Sequence, residues 1–71
     1  MSKTISILGG GESGIGAAVL AMQKDYNVFL SDINLIKSNY KKILNDYNID
    51  FEEGIHSIDK ILESDLIVKS P

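Results

Sequence analysis

Five glycines fall within eight positions near the start of the chain, in the run ILGGGESGIG, residues 7–16. The β-branched apolar segment TISIL, residues 4–8, precedes them. Ile15, Ala18, Val19 and Met22 follow at a spacing of three to four, with Ala17, Ala18 and Ala21 small enough for close approach to a sheet. A buried strand, a glycine turn and a helix in that order open a βαβ unit, which leaves few folds available. Gly9, Gly11 and Gly14 have the spacing G-x-G-x-x-G. The first glycine permits a tight turn, the second lets a ligand come close to the backbone, and the third lets helix and strand pack together. The unpaired N–H groups at the helix start, with the positive end of the helix dipole, then favour an anion such as a phosphate. Ser13 adds a hydroxyl donor there. Gly11 to Gly16 is not followed by Lys-Ser/Thr, so nothing grips the terminal phosphates of ATP. Glu12 must point away from a bound phosphate or raise an electrostatic cost, and no catalytic role is assigned to it.

The rest of the chain continues the alternation. The first helix is expected from Ser13 or Gly14 to about Lys24, and VFLS, residues 28–31, makes a second strand. Asn34 is a candidate cap for a second helix from Leu35 to about Tyr47, with Ile36, Tyr40, Ile43, Leu44 and Tyr47 on one apolar stripe. IDFE, residues 49–52, alternates apolar and acidic residues as an edge strand guarded by charge does. Ser57 is positioned to cap a short helix through Ile58, Ile61 and Leu62, and LIVK, residues 66–69, is a fourth strand. This β-α-β-α-β-α-β order, with right-handed crossovers, predicts an α/β Rossmann-like fold in three layers. Its parallel sheet takes the order 3-2-1-4, with helices on both faces. Only Ser70 and Pro71 follow the last strand, so the fold is expected to stop before a fifth strand, leaving an open sheet edge through which the chain can self-associate.

Composition narrows the function classes. Seventy-one residues make one small domain, with little core to spare. There is no cysteine, hence neither a disulfide nor a thiolate metal site. A net charge of −3 argues against a nucleic-acid partner, and Lys37, Lys41 and Lys42 have the spacing of a wet helix face. There is no signal-peptide core and no apolar run of membrane-spanning length, so a soluble cytoplasmic location without a membrane partner is expected. Asp32 closes the second strand 18 residues after Gly14, where a carboxylate accepts hydrogen bonds from a ribose. It serves equally as a turn or capping residue before Asn34. His56 has no second histidine or cysteine for metal binding, and Glu52 and Glu53 point to opposite faces of their strand. All three are read as structural or solvated, and no catalytic or metal site is assigned.

The segments ILGGGESGIGAAVLA, NVFLSD, FEEGIHS and the terminal LIVKSP together resemble the amino-terminal domain of the bacterial ligases that add D-glutamate to UDP-N-acetylmuramoyl-L-alanine. The family's loop G-x-G-x-[ST]-G is matched by Gly9 to Gly14, its strand-closing aspartate by Asp32, and its Ser-Pro-Gly turn by Ser70-Pro71. The resemblance covers the whole chain in order. It implies a Rossmann-like domain that binds the uridine diphosphate part of a nucleotide-sugar substrate used in peptidoglycan synthesis. Gly11, Glu12, Ser13 and Gly14 would then lie at the diphosphate, and Asp32 and Ile33 would border the uracil. The family's enzymes activate the substrate carboxylate with ATP and magnesium before D-glutamate attacks. Their ATP and glutamate sites lie in central and carboxy-terminal domains. The resemblance therefore implies that residues 1–71 alone bind nucleotide, carry no cofactor and catalyse nothing.

Two other readings stay open on the residues themselves. One is an NAD(P)-binding domain of a dehydrogenase or regulatory module, favoured by Asp32 and opposed by Glu12 and the Ser-Pro ending. The other is a structural domain whose glycines serve packing alone.

Overall fold

The computed structural model describes residues 2–70. In chain order the elements are β1 (Thr4–Leu8), α1 (Glu12–Gln23), β2 (Asn27–Asp32), α2 (Ser38–Asp46), β3 (Asp50–Glu53), α3 (Ile58–Leu62) and β4 (Leu66–Lys69). The four strands form one parallel sheet in the order β3-β2-β1-β4, as the sequence predicts. The register pairs Ile5 with Val28 and Leu66, and Leu30 with Phe51. Among the described residues no helix is long and apolar enough to cross a membrane.

Strand alternation divides the core in two. Ile5, Ile7, Val28 and Leu30 face one side, where Ile15, Ala18 and Ala21 of α1 and Leu44 of α2 close over them with Ile36 and Ile49. The other side, reached by the β3–β4 crossover, is narrower and more polar. Here Ile61 of α3 is buried and Lys60 Nζ lies 4.2 Å from the centroid of the Phe29 ring. Ser6 and Ser31 are fully buried on this side, and both hydroxyls are paired, Ser6 with the Ser64 hydroxyl and Ser31 with His56 Nδ1 at 2.6 Å.

Both longer helices end in the same way, without glycine. Asp25 and Asn48 take positive φ (66° and 56°), Tyr26 N–H donates to Ala21 O, and Ile49 N–H donates to Leu44 O. These are Schellman turns, in which short polar side chains tolerate the left-handed conformation.

The second helix departs from expectation. It begins at Ser38 with Lys37 in the cap position, so Asn34 caps nothing and residues 33–37 form a loop. Competing acceptors explain the shift. Asp32 Oδ1 takes the Asn34 N–H at 2.9 Å, and Glu53 Oε1 takes the Ile36 N–H at 2.8 Å. The Asn34 carbonyl is occupied by Gly54 N–H at 3.2 Å. Ile36 is accordingly buried ahead of the helix rather than on its stripe, and Tyr47 is exposed at the far end. Ser57 does stand at the cap of α3 but makes no capping bond, because its hydroxyl is drawn to Glu52 Oε1 at 2.5 Å. The first helix starts at Glu12, slightly earlier than its apolar pattern indicates.

Candidate functional site

The C-terminal ends of β1 and β2 and the start of α1 meet at the glycine run. Gly9 has φ +117°, and its N–H donates to Ser31 O at 2.8 Å, so the chain leaves β1 through a conformation that favours glycine. A Cβ on Gly9 would lie 2.9 Å from Ser70 Cβ, at the end of β4. A Cβ on Gly14 would lie 1.8 Å from Gly9 O, so α1 starts in direct contact with the turn that feeds it. Gly11 differs from both: it is exposed, has an ordinary φ of −82°, and a Cβ there meets no atom within 4 Å. Of the three motif glycines, the first and third are therefore explained by the fold, whereas the second borders open space.

That space faces the start of α1. The first intrahelical bond runs from Ile15 N–H to Gly11 O at 2.9 Å, and no side chain caps the helix. The N–H groups of Glu12, Ser13 and Gly14 therefore have no acceptor within the helix, and the dipole gives this end positive character. The Ser13 side chain is exposed beside them. Glu12 is also exposed, in the first turn, where the dipole stabilises a carboxylate whether or not an anion is bound. This gives Glu12 a structural reason to occupy a phosphate-type loop.

Asp32 ends β2 beside this loop, and each of its oxygens already accepts a backbone N–H. Oδ2 takes Gly10 at 2.7 Å and Oδ1 takes Asn34 at 2.9 Å. The turn role expected of Asp32 is thus present, with an added bond across to the glycine run. Ile33, next along the chain, is 57% exposed, and Leu35 is 81% exposed. The structure brings Asp32 to the glycine run and leaves Ile33 exposed on the loop that follows β2.

Two supporting residues have no motif to announce them. A Cβ on Gly10 would lie 2.8 Å from Ile36 Cγ1 and 3.2 Å from Asp32 Oδ2, so this glycine is required by the packing of the β2–α2 loop beneath it. Glu53 holds that loop through the Ile36 N–H and through Lys41 Nζ at 3.0 Å. These two contacts keep the Glu53 carboxyl below the usual glutamate range. The Gly10 role is visible only once β1 and β2 are neighbours, and the Glu53 role only once β2 and β3 are.

On the polar side of the sheet, Glu52 accepts from Ser31 Oγ at 2.7 Å and from Ser57 N–H at 2.6 Å. Burial pushes the Glu52 carboxyl upward, but the Ser57 N–H, the Ser57 and Ser31 hydroxyls and the nearby His56 outweigh it and hold it below its ordinary value. Ser31 is fully buried, so this Ser–His–Glu group offers no nucleophile and ties the β3–α3 loop to the sheet. Among the described residues no three His, Asp or Glu side chains gather to hold a metal. Pro71, half of the Ser-Pro ending, lies outside the described residues.

Comparison with known proteins agrees with the resemblance. Residues 4–71 match the family model of the MurD N-terminal domain. A UDP-N-acetylmuramoylalanine–D-glutamate ligase from Christiangramia forsetii is 51% identical over 71 residues, all of this chain and 16% of that protein. Proteins of the same name from Bacteroides fragilis and Chlorobium phaeobacteroides are 51% and 41% identical over 69 residues, 97% of this chain. The chain spans about one-sixth of the length of these relatives.

Proposed function

Because the chain belongs to the MurD N-terminal domain family, we propose that its glycine cradle holds the uridine diphosphate part of UDP-N-acetylmuramoyl-L-alanine for a D-glutamate-adding ligase. One observation carries this reading. At the start of α1, unspent N–H groups face a Gly11 that has room for a ligand and no packing reason to lack a side chain. The diphosphate would take the N–H groups of Glu12, Ser13 and Gly14 and the Ser13 hydroxyl. The dipole and the donors act together there, at a site open enough for a bulky nucleotide sugar to extend away. Asp32 would act mainly by fixing Gly10, which sets the shape of the loop, and would border the uracil together with the exposed Ile33.

Under this reading the ligase reaction belongs to the longer protein. ATP and magnesium would activate the substrate carboxylate outside residues 1–71, which carry no ATP loop. The role of residues 1–71 is to anchor the substrate's nucleotide end, in contact with central and carboxy-terminal domains, in a soluble cytoplasmic enzyme. NAD(P) is the competing ligand. Its ribose would have to share Asp32 oxygens that already serve Gly10 and Asn34.

The test is a titration of the 71-residue chain followed by amide NMR, with UDP-N-acetylmuramoyl-L-alanine, UDP and NAD as ligands. The expected result is shifts at residues 11–14, 32 and 33 with the two uridine ligands and none with NAD. Gly11→Val should fold normally, since its Cβ meets nothing, yet lose that response. Binding of NAD alone, or undiminished uridine binding by Gly11→Val, refutes the assignment.

A further inference from the structure

Asp32 and Glu53 are register partners at the ends of β2 and β3, so both carboxylates leave the sheet on the face covered by α1 and α2. Two acids set side by side repel unless each is supplied with donors. Asp32 is supplied by the Gly10 and Asn34 N–H groups. Glu53 Oε1 accepts the Ile36 N–H at 2.8 Å, and Oε2 accepts from Lys41 Nζ at 3.0 Å. Beside it, Gly54 N–H donates to Asn34 O at 3.2 Å. The end of β3 thus grips the 33–37 loop at two points, Asn34 and Ile36.

That grip reaches the glycine cradle through one side chain. Ile36 is 5% exposed, and a Cβ on Gly10 would lie 2.8 Å from its Cγ1 and 3.1 Å from its Cδ1. Ile36 therefore packs directly against the buried Gly10, whose N–H is fixed by Asp32 Oδ2. Gly10 in turn precedes Gly11, whose carbonyl accepts the first bond of α1. Building on the uridine diphosphate reading of the cradle, we propose that Glu53 is a positioning residue for the nucleotide site. By holding Ile36 against Gly10, it sets the loop shape that aims the free N–H groups of residues 12–14.

Two features separate this role from that of an ordinary ion pair. The Lys41 and Glu53 side chains are 36% and 26% exposed, so their charge attraction is screened by water and salt. The Ile36 N–H has no such latitude. Ile36 lies ahead of α2, where no helical carbonyl accepts its N–H. Without Glu53 that N–H is left unpaired beside a buried side chain, or it turns out to water and takes the side chain off Gly10. The acceptor oxygen, rather than the charge, is what the cradle depends on, and Lys41 orients that carboxylate from α2.

The test uses the 71-residue chain with and without UDP. In the parent, the Gly10 and Ile36 amides should resist hydrogen exchange as one unit. Glu53→Ala should speed exchange at both and move the amide signals of residues 10–14. It should also weaken UDP binding roughly tenfold, the cost of ordering a loop that the parent holds ready. Glu53→Gln keeps an acceptor for Ile36 and loses only the charge, so it should bind UDP within about twofold of the parent. Lys42→Ala is the control: it breaks the 2.9 Å Lys42–Asp46 pair on the same helix and should change neither readout. Glu53→Ala with parental UDP binding and parental Gly10 exchange overturns the proposal, as does Glu53→Gln binding as weakly as Glu53→Ala. So does a parent chain in which Ile36 exchanges freely while Gly10 stays protected, a result that needs no substituted chain to fold. A parent that binds no UDP refutes the uridine reading instead, and exchange at Gly10 in Glu53→Ala and Glu53→Gln then decides the positioning role by itself.

Discussion

Replacing Gly14 with alanine adds one methyl group at the most crowded point of the fold. The new Cβ would lie 1.8 Å from Gly9 O and 2.8 Å from Gly9 C, well inside the 3.0 Å that real Cβ atoms respect. These are backbone atoms. Gly9 cannot give way cheaply, because its N–H is bonded to Ser31 O at the end of β2. The start of α1 must therefore retreat, which loosens the packing of Ile15 and Ala18 against the sheet. Overpacking of this kind costs 1–3 kcal/mol and occasionally more, and an immovable backbone puts Gly14→Ala near the top, at about 3 kcal/mol. Total stability for a domain of this length is roughly 4–11 kcal/mol, so the loss is a large share of it. At about 4–8 °C per kcal/mol, the melting temperature should fall by ~12–24 °C. Gly16→Ala is the control, two residues along in the same helix. Its Cβ meets no atom within 4 Å, and helix propensity should make it more stable by about 1 kcal/mol. Calorimetric melting of both variants beside the parent chain separates the two effects. A Gly14→Ala chain melting within about 4 °C of the parent would refute the claim that this glycine is fixed by contact rather than by a ligand.

Three other outcomes are expected. Asp32→Ala leaves the buried Gly10 N–H without its acceptor and should cost ~1–3 kcal/mol, measured by urea unfolding, with faster exchange at the Gly10 amide. Asp25→Gly relieves a left-handed residue at the end of α1 and should add roughly 1 kcal/mol, seen as a higher melting temperature. Glu52 and Glu53 both have carboxyl pKa values depressed in the folded chain, so folding is favoured while they are ionised. Their stabilisation is complete above the unfolded value of about 4.3 and is lost as pH falls through the lower folded values. Urea midpoints should therefore drop on acidification, and less steeply in Glu52→Gln; a flat profile from about pH 5 to pH 2 contradicts the roles assigned to these carboxylates.

The sequence alone determined the alternation of strands and helices, the parallel sheet and its order. These depend on local apolar period, on glycine at a strand–helix turn and on crossover handedness, all of which lie along the chain. It also brought out the glycine run, Asp32 and the family. What it could not decide was which neighbour would claim each polar group. Asn34 looks like a helix cap, but Asp32 and Gly54 take its backbone groups once β2 and β3 lie side by side. Ser57 stands at a helix start, yet Glu52, in the strand just before it, takes its hydroxyl. Gly10 is an unremarked position in the motif until Ile36 is seen to pack against it. Among the motif glycines, Gly9 and Gly14 prove to be demanded by backbone contact, leaving Gly11 as the one whose bareness faces open space. A hydrogen bond or a van der Waals contact between distant residues depends on register and strand adjacency, and those exist only after the sheet has assembled.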